Sequence, residues 1–525
     1  MKTFLIQTLG CKVNQYESEQ IATLLRSHGL DQTDSPERAD LRILNSCSVT
    51  VEAASKSRQS TRRLTRLPVI NEAALNESSN QGRPVDAHEK KRGRIIVTGC
   101  WATSNQEEAS RLAGVDAVLT HTDDVAGEIS RLLEQWQAED TIVDPPKLRL
   151  PQLSCNSPAQ GSNRNDGWMK IRAGTPGPEL PSVNKPQDVQ FVKQNPEMPR
   201  RLGATSLPLL DDRHTGHQRA FLKIQDGCDA HCTYCIIPNL RPALWSKPAD
   251  DAVEEAKRLV EAGHQEIVLT GIFLGAFGQP TALRRRQSSE TRAALGGLID
   301  ALCTRVVGLR RLRLSSLEPG DLTNNLLAKL KSHPQVVPHF HLPLQSGSDA
   351  LLRRMIRQYT RDDFLAMIQQ VNEAFDRPAI TTDIIVGFPG ETDAEFERTL
   401  EVVEQAKFIH IHAFPFSPRP GTAAARWKAD FVDPHTVKQR ITTLTNRAAA
   451  CGFQFRSQFI GEEVEILVER NADESSPLRH GRCERYFDVQ VSDPTLRPGD
   501  AARVRIDRIT PARTFGTAVS VVGAE

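Results

Sequence analysis

The chain has 525 residues, too many for one hydrophobic core, so about three domains are expected. Hydrophobic residues make up 39% and charged residues 25%, the balance of a globular protein, and no run approaches the ~18 apolar residues of a membrane span. A formal net charge of +1 neither demands nor excludes a nucleic-acid partner, so any basic surface must be local.

The opening MKTFLIQTLGCKVNQ reads as a first strand over residues 3–9 and not as an export signal. A cytoplasmic protein with reduced thiols is therefore expected, and its ten cysteines read as metal ligands or core residues rather than disulfides. A helix is predicted over 16–28, ended by Gly29, then a strand over 41–45, a helical stretch from about 50 to 66, strands over 94–98 and 115–120, and a closing helix in GEISRLLEQWQ. That alternation predicts an open, mostly parallel α/β sheet over residues 1–140. Residues 68–92 read as a polar surface insertion, and 141–213, rich in Pro, Asn, Gln, Ser and Gly, as a flexible linker.

Strong patterning resumes over 214–456. FLKIQDG, EIVLTG, RLRLSS, HFHLPL, TTDIIVGFP and FIHIHAFPF read as strands separated by amphipathic helices. Six β/α units fit a partial barrel whose chemistry sits at the carboxyl ends of the strands. Residues 457–525 turn all-β, with strands in EEVEILVER, YFDVQVSD, ARVRIDRIT and TAVSVVG, and predict a small barrel of the kind that carries nucleic acid.

Two cysteine sets stand out. Cys11, Cys47 and Cys100 each follow a predicted strand of the first domain, in QTLGC, ILNSC and VTGC. Strand carboxyl ends share one edge of a parallel sheet, where ligands bind. Gly10 and Gly99 allow tight turns there. Any one of these cysteines alone reads as a small core residue; the shared position after three strands favours a metal site. The second set, Cys228, Cys232 and Cys235 in CDAHCTYC, follows the first barrel strand with Cys-x3-Cys-x2-Cys spacing. Three thiolates suit a cubane iron-sulfur cluster with one iron open. Zinc is the competing reading and needs a fourth ligand, for which His231 is near. Cys155, Cys303, Cys451 and Cys483 lack partners at ligand spacing.

The three-cysteine spacing with Tyr234 before the last thiol resembles the radical S-adenosylmethionine (SAM) superfamily. More narrowly, TLGCKVNQYES, LNSCSVT, VTGCWA, CTYCIIP, IVLTGIFLG, LRLSSLEP, HFHLPLQSGSDALLRRMIRQYT, TTDIIVGFPGET and FPFSPRPGT resemble the methylthiotransferases. The resemblance covers nearly everything except the insertion and the linker. It implies a central partial (β/α)6 radical SAM barrel and a C-terminal RNA-binding TRAM barrel. It also implies two 4Fe-4S clusters, one on Cys11, Cys47 and Cys100 and one on Cys228, Cys232 and Cys235, with SAM chelating the open iron of the second. One SAM methylates a sulfur at the first cluster, and a second gives the radical that abstracts hydrogen from an inert C–H bond.

Within the family, TLGCKVNQYES is closest to the threonylcarbamoyladenosine tRNA methylthiotransferase branch, acting beside the anticodon at position 37. The other branches act on isopentenyladenosine in tRNA or on an aspartate of a ribosomal protein. A non-catalytic RNA-binding protein stabilised by its clusters is the competitor from another class. The implied partners are the tRNA anticodon stem-loop and an electron donor such as flavodoxin or ferredoxin, with no membrane. Expected SAM contacts are Tyr234, Thr270, Gly271, Gln345, Ser346, Gly387 and Gly390. For Thr270 and Gly271, and for the two later glycines, simple turns are the alternative. Arg419 in SPRPGT is a candidate for a carboxylate, a phosphate or a structural ion pair.

Residues 458–525 hold nine Arg and twelve Asp plus Glu, so this domain is not basic overall. Arg503 and Arg505 nevertheless share one face of a strand, and Arg482, Arg485 and Tyr486 are expected to extend it for phosphate contact and base stacking. One departure from the family falls after CIIP. The usual Arg-Gly and second Arg give way to NLRPALWS, with Pro242 and Trp245 at the Gly and Arg places.

Overall fold

A computed structural model describes residues 1–69, 92–141, 207–210, 218–286, 293–471, 476 and 478–522. Most of the insertion at 68–92 and most of the linker at 141–213 lie outside the described residues.

The first sheet has five parallel strands, β1 (Thr3–Thr8), β2 (Asp31–Gln32), β3 (Leu41–Ser46), β4 (Arg94–Gly99) and β5 (Ala117–Val118), in the order β2-β1-β3-β4-β5. β3 is central and buried throughout, because both sheet faces are covered. Ile43 and Ile96 pack with α1 (Lys12–Ser27) and the helix Val125–Thr141, while Leu44, Ile95 and Val97 lie on the side of α2 (Val51–Arg66). Arg42 is the one charged residue in β3. Its guanidinium donates to the carbonyls of Leu64 (2.8 Å), Leu67 (2.6 Å) and Pro68 (2.9 Å), satisfying acceptors that the end of α2 leaves open. Two predicted bounds shift. α1 begins at Lys12 instead of residue 16, because the polar CKVN turn hides its first residues, and β5 pairs over only two residues.

The central domain carries β6 (Arg219–Asp226), the short β7 (Trp245–Ser246), β8 (Glu266–Gly271), β9 (Arg311–Leu314), β10 (His339–His341), β11 (Ala379–Val386) and β12 (His410–Pro415). β6, β8 and β9 pair in parallel, as do β10, β11 and β12. Parallel bridges Leu312–Val336 and Ser316–His341 join the two sets into a six-stranded partial barrel. β7 runs antiparallel on the outer side of β6. Leu222, Ile224, Phe340, Ile380, Ile384 and Ile411 belong to one apolar core with the surrounding helices. Strand alternation then turns Lys223, Arg313, His341, Asp383 and His412 to the inside.

The helix Pro434–Ser457 leads into a closed barrel of β13 (Glu463–Glu469), β14 (Arg479–Cys483), β15 (Asp488–Val491), β16 (Ala501–Ile509) and β17 (Thr514–Val522), in the order β13-β14-β15-β17-β16. β14 escaped the sequence reading because RHGRC has no apolar alternation. It matters, since its turn docks on the central domain. Arg311 donates to the Arg482 carbonyl (3.3 Å) and Arg313 to that of Glu484 (3.1 Å). Arg219 pairs with Glu469 at 3.1 Å and Arg377 with Glu462 at 2.8 Å.

Candidate active site

Cys11 occupies the N-cap of α1, Cys47 directly follows β3, and Cys100 opens the helix after β4. β1, β3 and β4 are adjacent and parallel, so topology brings the three loops to one edge. Gly10 (φ +111°) lets its loop close on Cys47: a β-carbon at Gly10 would stand 2.9 Å from Cys47 Cβ and 3.1 Å from its Sγ. The three thiols are electrostatically coupled, with Cys100 feeling both Cys11 and Cys47. Burial pushes the Cys100 thiol up to about 12 and raises that of Cys47 as well. Cys47 and Cys100 are buried and Cys11 is exposed, so holding the two buried sulfurs as thiolates would require a cation bound beside them. Arg419 is buried beside this edge; burial lowers its pKa, and the charge it feels is that of Cys47. It forms no ion pair among the described residues, so the structural ion pair considered for it is not made.

Cys228, Cys232 and Cys235 lie on the loop after β6. Gly227 (φ +80°) turns the chain out of the strand against the backbone of Ala243, and the Cys228 amide donates to the Arg241 carbonyl at 3.0 Å. Thr233 fixes the loop crown: its amide donates to Met355 O (3.2 Å), its hydroxyl to Arg354 O (3.0 Å), and its carbonyl accepts from Ala424 N (2.9 Å). Burial raises the Cys228 thiol and pushes Cys235 up to about 12, with the neighbouring thiols adding to both. Arg357 donates to Cys232 Sγ at 3.1 Å and to Tyr234 Oη at 3.3 Å, and pairs with Glu318. No described cysteine forms a disulfide. His231 (φ +52°) is exposed, and no described cysteine-histidine group has the closeness of a zinc site.

The two thiol sets abut. Cys100 packs against Ile236, which directly follows Cys235, and against Leu240 one turn further on. A buried ionic network clamps them. Glu17 of α1 receives Arg241 at 2.7 and 2.8 Å and Lys223 at 2.7 Å, and Asp226 receives the same two cations at 2.9 and 3.2 Å. Burial alone would raise the Glu17 carboxyl, but Arg241 and Lys223 hold it well below the usual range. Sequence reasoning passed over Arg241, Glu17, Arg357 and Glu318. Arg241 and Glu17 are 224 residues apart, so no spacing signals their pairing. Pro242, at the family's Gly place, is exposed, and Trp245 pairs with Asp226 in the β7 strand.

Tyr234 stands edge-on to Phe388, with centroids 6.5 Å apart. Thr270 is buried at the end of β8, and Gly271 meets Gln225, whose Cβ would lie 3.0 Å from an added β-carbon. Gln345 holds φ +63° at the end of the β10 strand path, with its amide on Asp383 O (2.8 Å), and Ser346 is fully buried. At Gly387 (φ +76°) and Gly390 (φ +84°) the space of a side chain is filled by Val437 and Arg354. Both glycines thus meet a turn and packing requirement at these positions.

Inside the barrel, His341, Asp383 and His412 bring ligand-type atoms within 4.8 Å of one another. Below them Tyr486 (φ +71°) reaches up from the C-terminal barrel and stacks on His339 at 4.3 Å, with Arg482 and Arg313 over its ring at 4.5 and 5.1 Å. Arg482 also pairs with Asp488 (3.0 Å), and Arg485 with Asp376 (3.3 Å) and Glu484 (2.7 Å). Of the residues expected on an RNA-facing surface, Tyr486 and Arg485 thus turn to the central domain, while the Arg482 side chain stays within its own barrel. Arg503 and Arg505 are exposed.

A partial parallel barrel with a three-thiol loop after its first strand defines a radical SAM enzyme. Residues 222–403 match the radical SAM superfamily, and residues 3–120 match uncharacterized protein family UPF0004. The chain is 31% identical to the threonylcarbamoyladenosine tRNA methylthiotransferase MtaB of Bacillus subtilis, over 100% of this chain and 98% of that one. It is 33% identical to the protein of the same name from Thermotoga maritima, over 89% and 87%. It is 30% identical to the tRNA-2-methylthio-N(6)-dimethylallyladenosine synthase of Ruegeria pomeroyi, over 96% of both. Among solved structures it is similar to the radical SAM methyltransferase TsrM of Kitasatospora setae, with cobalamin and a [4Fe-4S] cluster bound, at 12% identity and a TM-score of 0.49, over 91% and 77%. The chain belongs to the radical SAM tRNA methylthiotransferases, whose cofactors are SAM and 4Fe-4S clusters. Among the described residues no helix is long and apolar enough to cross a membrane.

Proposed function

We propose that this enzyme places a methylthio group at C2 of N6-threonylcarbamoyladenosine, at position 37 beside the tRNA anticodon. Cys11, Cys47 and Cys100 hold one 4Fe-4S cluster, and Cys228, Cys232 and Cys235 hold the other. The observation that carries this reading is the pair of three-thiol sets packed against each other through Cys100 and Ile236. When bound, the clusters and SAM supply the one-electron cleavage and the sulfur and methyl transfer that an inert aromatic C–H requires.

The chain's own residues position and shield. Arg357 donates to the Cys232 sulfur and offsets negative charge on the thiolates, while Glu318 fixes its guanidinium. Arg241 holds α1, and with it Cys11, in register with the second loop. Tyr234, Thr270, Gly271, Gln345, Ser346, Gly387 and Gly390 form the SAM side; the left-handed backbone of Gln345 is the kind of strain that functional sites hold. Residues 1–140, 214–456 and 457–525 act as three domains, the first two joined by the linker at 141–213. Arg503 and Arg505 remain available for the anticodon stem-loop, and an electron donor of the flavodoxin or ferredoxin kind completes the cycle. The polar barrel interior favours the threonylcarbamoyl substrate over the isopentenyl one.

The test is mass spectrometry of tRNA nucleosides from a host that lacks its own methylthiotransferases and expresses this protein. The 2-methylthio derivative of threonylcarbamoyladenosine is expected. The isopentenyl product would move the enzyme to the neighbouring branch, and no methylthio nucleoside with both clusters assembled would defeat the tRNA assignment.

A further inference from the structure

The inner wall of the barrel beneath Cys11 has a composition that catalysis at the thiols does not explain. On β10, β11 and β12 the outward residues Phe340, Ile380, Ile384 and Ile411 join the apolar core. Of the alternating inward positions, His339, His341, Thr381, Asp383, His410 and His412 are polar, while Ala379, Ile385 and Phe414 are apolar. His341 Nε2 lies 3.2 Å from Asp383 Oδ2, and its Nδ1 lies 2.9 Å from Thr381 Oγ1. The His412 ring is 5.9 Å from that of His341 and 4.5 Å from that of His410. Tyr486 and His339 close the floor. Facing this wall from α1 is Lys12, the residue after Cys11. It forms no hydrogen bond or ion pair among the described residues, yet it is in electrostatic reach of Asp383, Tyr486, Arg219 and Arg313 and of the His339 and His412 rings.

We propose that Lys12 and this histidine–aspartate wall form a subsite for the substituent on N6 of the target adenosine, built for a short polar group that ends in a carboxylate. The proposal rests on the threonylcarbamoyl reading above and gives it a physical recogniser. A base that turns C2 toward the thiols projects its N6 group away from them, into the barrel. Lys12 receives the carboxylate. Asp383, oriented by His341, accepts from a urea N–H, and the rings of His341 and His412 serve the hydroxyl and carbonyl. An isopentenyl group in the same place would strip water from Lys12 and Asp383 and return no hydrogen bond, a penalty that a site built for polar partners turns into strong rejection.

The test measures binding of the full-length holoenzyme, under anaerobic conditions, to anticodon stem-loop RNAs. The loops carry threonylcarbamoyladenosine, its methyl ester or isopentenyladenosine. The wild type should bind the acid about tenfold more tightly than the ester, as one charge-assisted contact provides. K12M should abolish that difference and K12R should restore most of it; H412L should weaken the acid and the ester together. Iron content of each variant checks that it has folded and loaded. Equal binding of acid and ester by the wild type, or an intact preference in K12M, overturns the subsite. So does a stoichiometric metal beyond the cluster iron that is lost in H412L, since the wall would then be a metal site. A wild type that binds and modifies only the isopentenyl loop overturns the threonylcarbamoyl reading itself; acid turnover without acid–ester discrimination overturns the subsite alone.

Discussion

Cys228, Cys232 and Cys235 fall within one short loop, and that loop is held by backbone contacts to Arg241, Met355 and Ala424. Cys11, Cys47 and Cys100 come instead from three loops and meet only because β1, β3 and β4 lie side by side. The first set is therefore a local device carried by a strand end, and the second is a product of sheet topology. The two also differ in their cations. Arg357 donates directly to Cys232 and is itself anchored by Glu318, whereas Arg419 lies beside Cys47 with no ion pair among the described residues. A guanidinium fixed by a carboxylate holds its charge in one place, and one without such an anchor is free to answer to whatever the edge carries. The two sites nevertheless share one clamp, the buried Glu17–Arg241–Asp226–Lys223 network.

The largest effect expected is from removing a thiol. Cys47→Ala and Cys232→Ala should each lower methylthiolation by several orders of magnitude while each loses only half of the iron. Loss of all the iron from either variant would show that the sites do not assemble independently.

Arg241→Ala tests the clamp. Leaving Glu17 and Asp226 buried without their main cation should cost roughly 3–5 kcal/mol in denaturant unfolding. Both sites should release iron to a chelator faster, because the network ties α1 to the second loop. Faster release from the Cys228 loop alone would mean that the clamp serves one region only.

Arg419→Ala should be milder and one-sided. Iron loss from the Cys47 edge should accelerate severalfold while the Cys228 loop keeps its rate, as followed by chelation in a Cys232→Ala background and in a Cys47→Ala background. Equal acceleration in the two backgrounds would remove the assignment of Arg419 to one edge.

The smallest effect concerns α1, which carries Cys11. Burial lifts the Glu19 carboxyl to about 7, with Arg26 only partly opposing it. An acid whose folded pKa is raised binds more protons folded than unfolded, so its contribution falls as pH rises from the unfolded carboxylate value through about 7. Glu19→Gln should thus stabilise the protein by about 2 kcal/mol at pH 8 and by almost nothing at pH 4, as urea unfolding at the two pH values would show. An equal gain at both would trace the effect to packing.

Much of this architecture was legible in the sequence. β1, β3, β4 and the six barrel strands follow from apolar patterning, because each turns apolar residues into a core, from the single buried Ile411 of β12 to the wholly buried β3. The Cys228 loop was legible as a unit, and the Cys11 set through its recurrence after strands. β14 was not, since a strand of polar sequence that docks on another domain through its backbone carbonyls has no apolar period to betray it. Tyr486 and Arg482 were read as RNA-facing for the same reason: an aromatic and an arginine look alike whether they stack on a base or on His339.

By itself, then, the sequence determined the strands and helices with an apolar period and which residue types can ligate iron, since local patterning and donor chemistry need no knowledge of distant neighbours. Only the tertiary structure decided which charges meet. Glu17 found Arg241, Tyr486 became the floor of the barrel, and Lys12 came to face Asp383 and the histidines, because such pairings depend on where separate domains dock and leave no period in the chain.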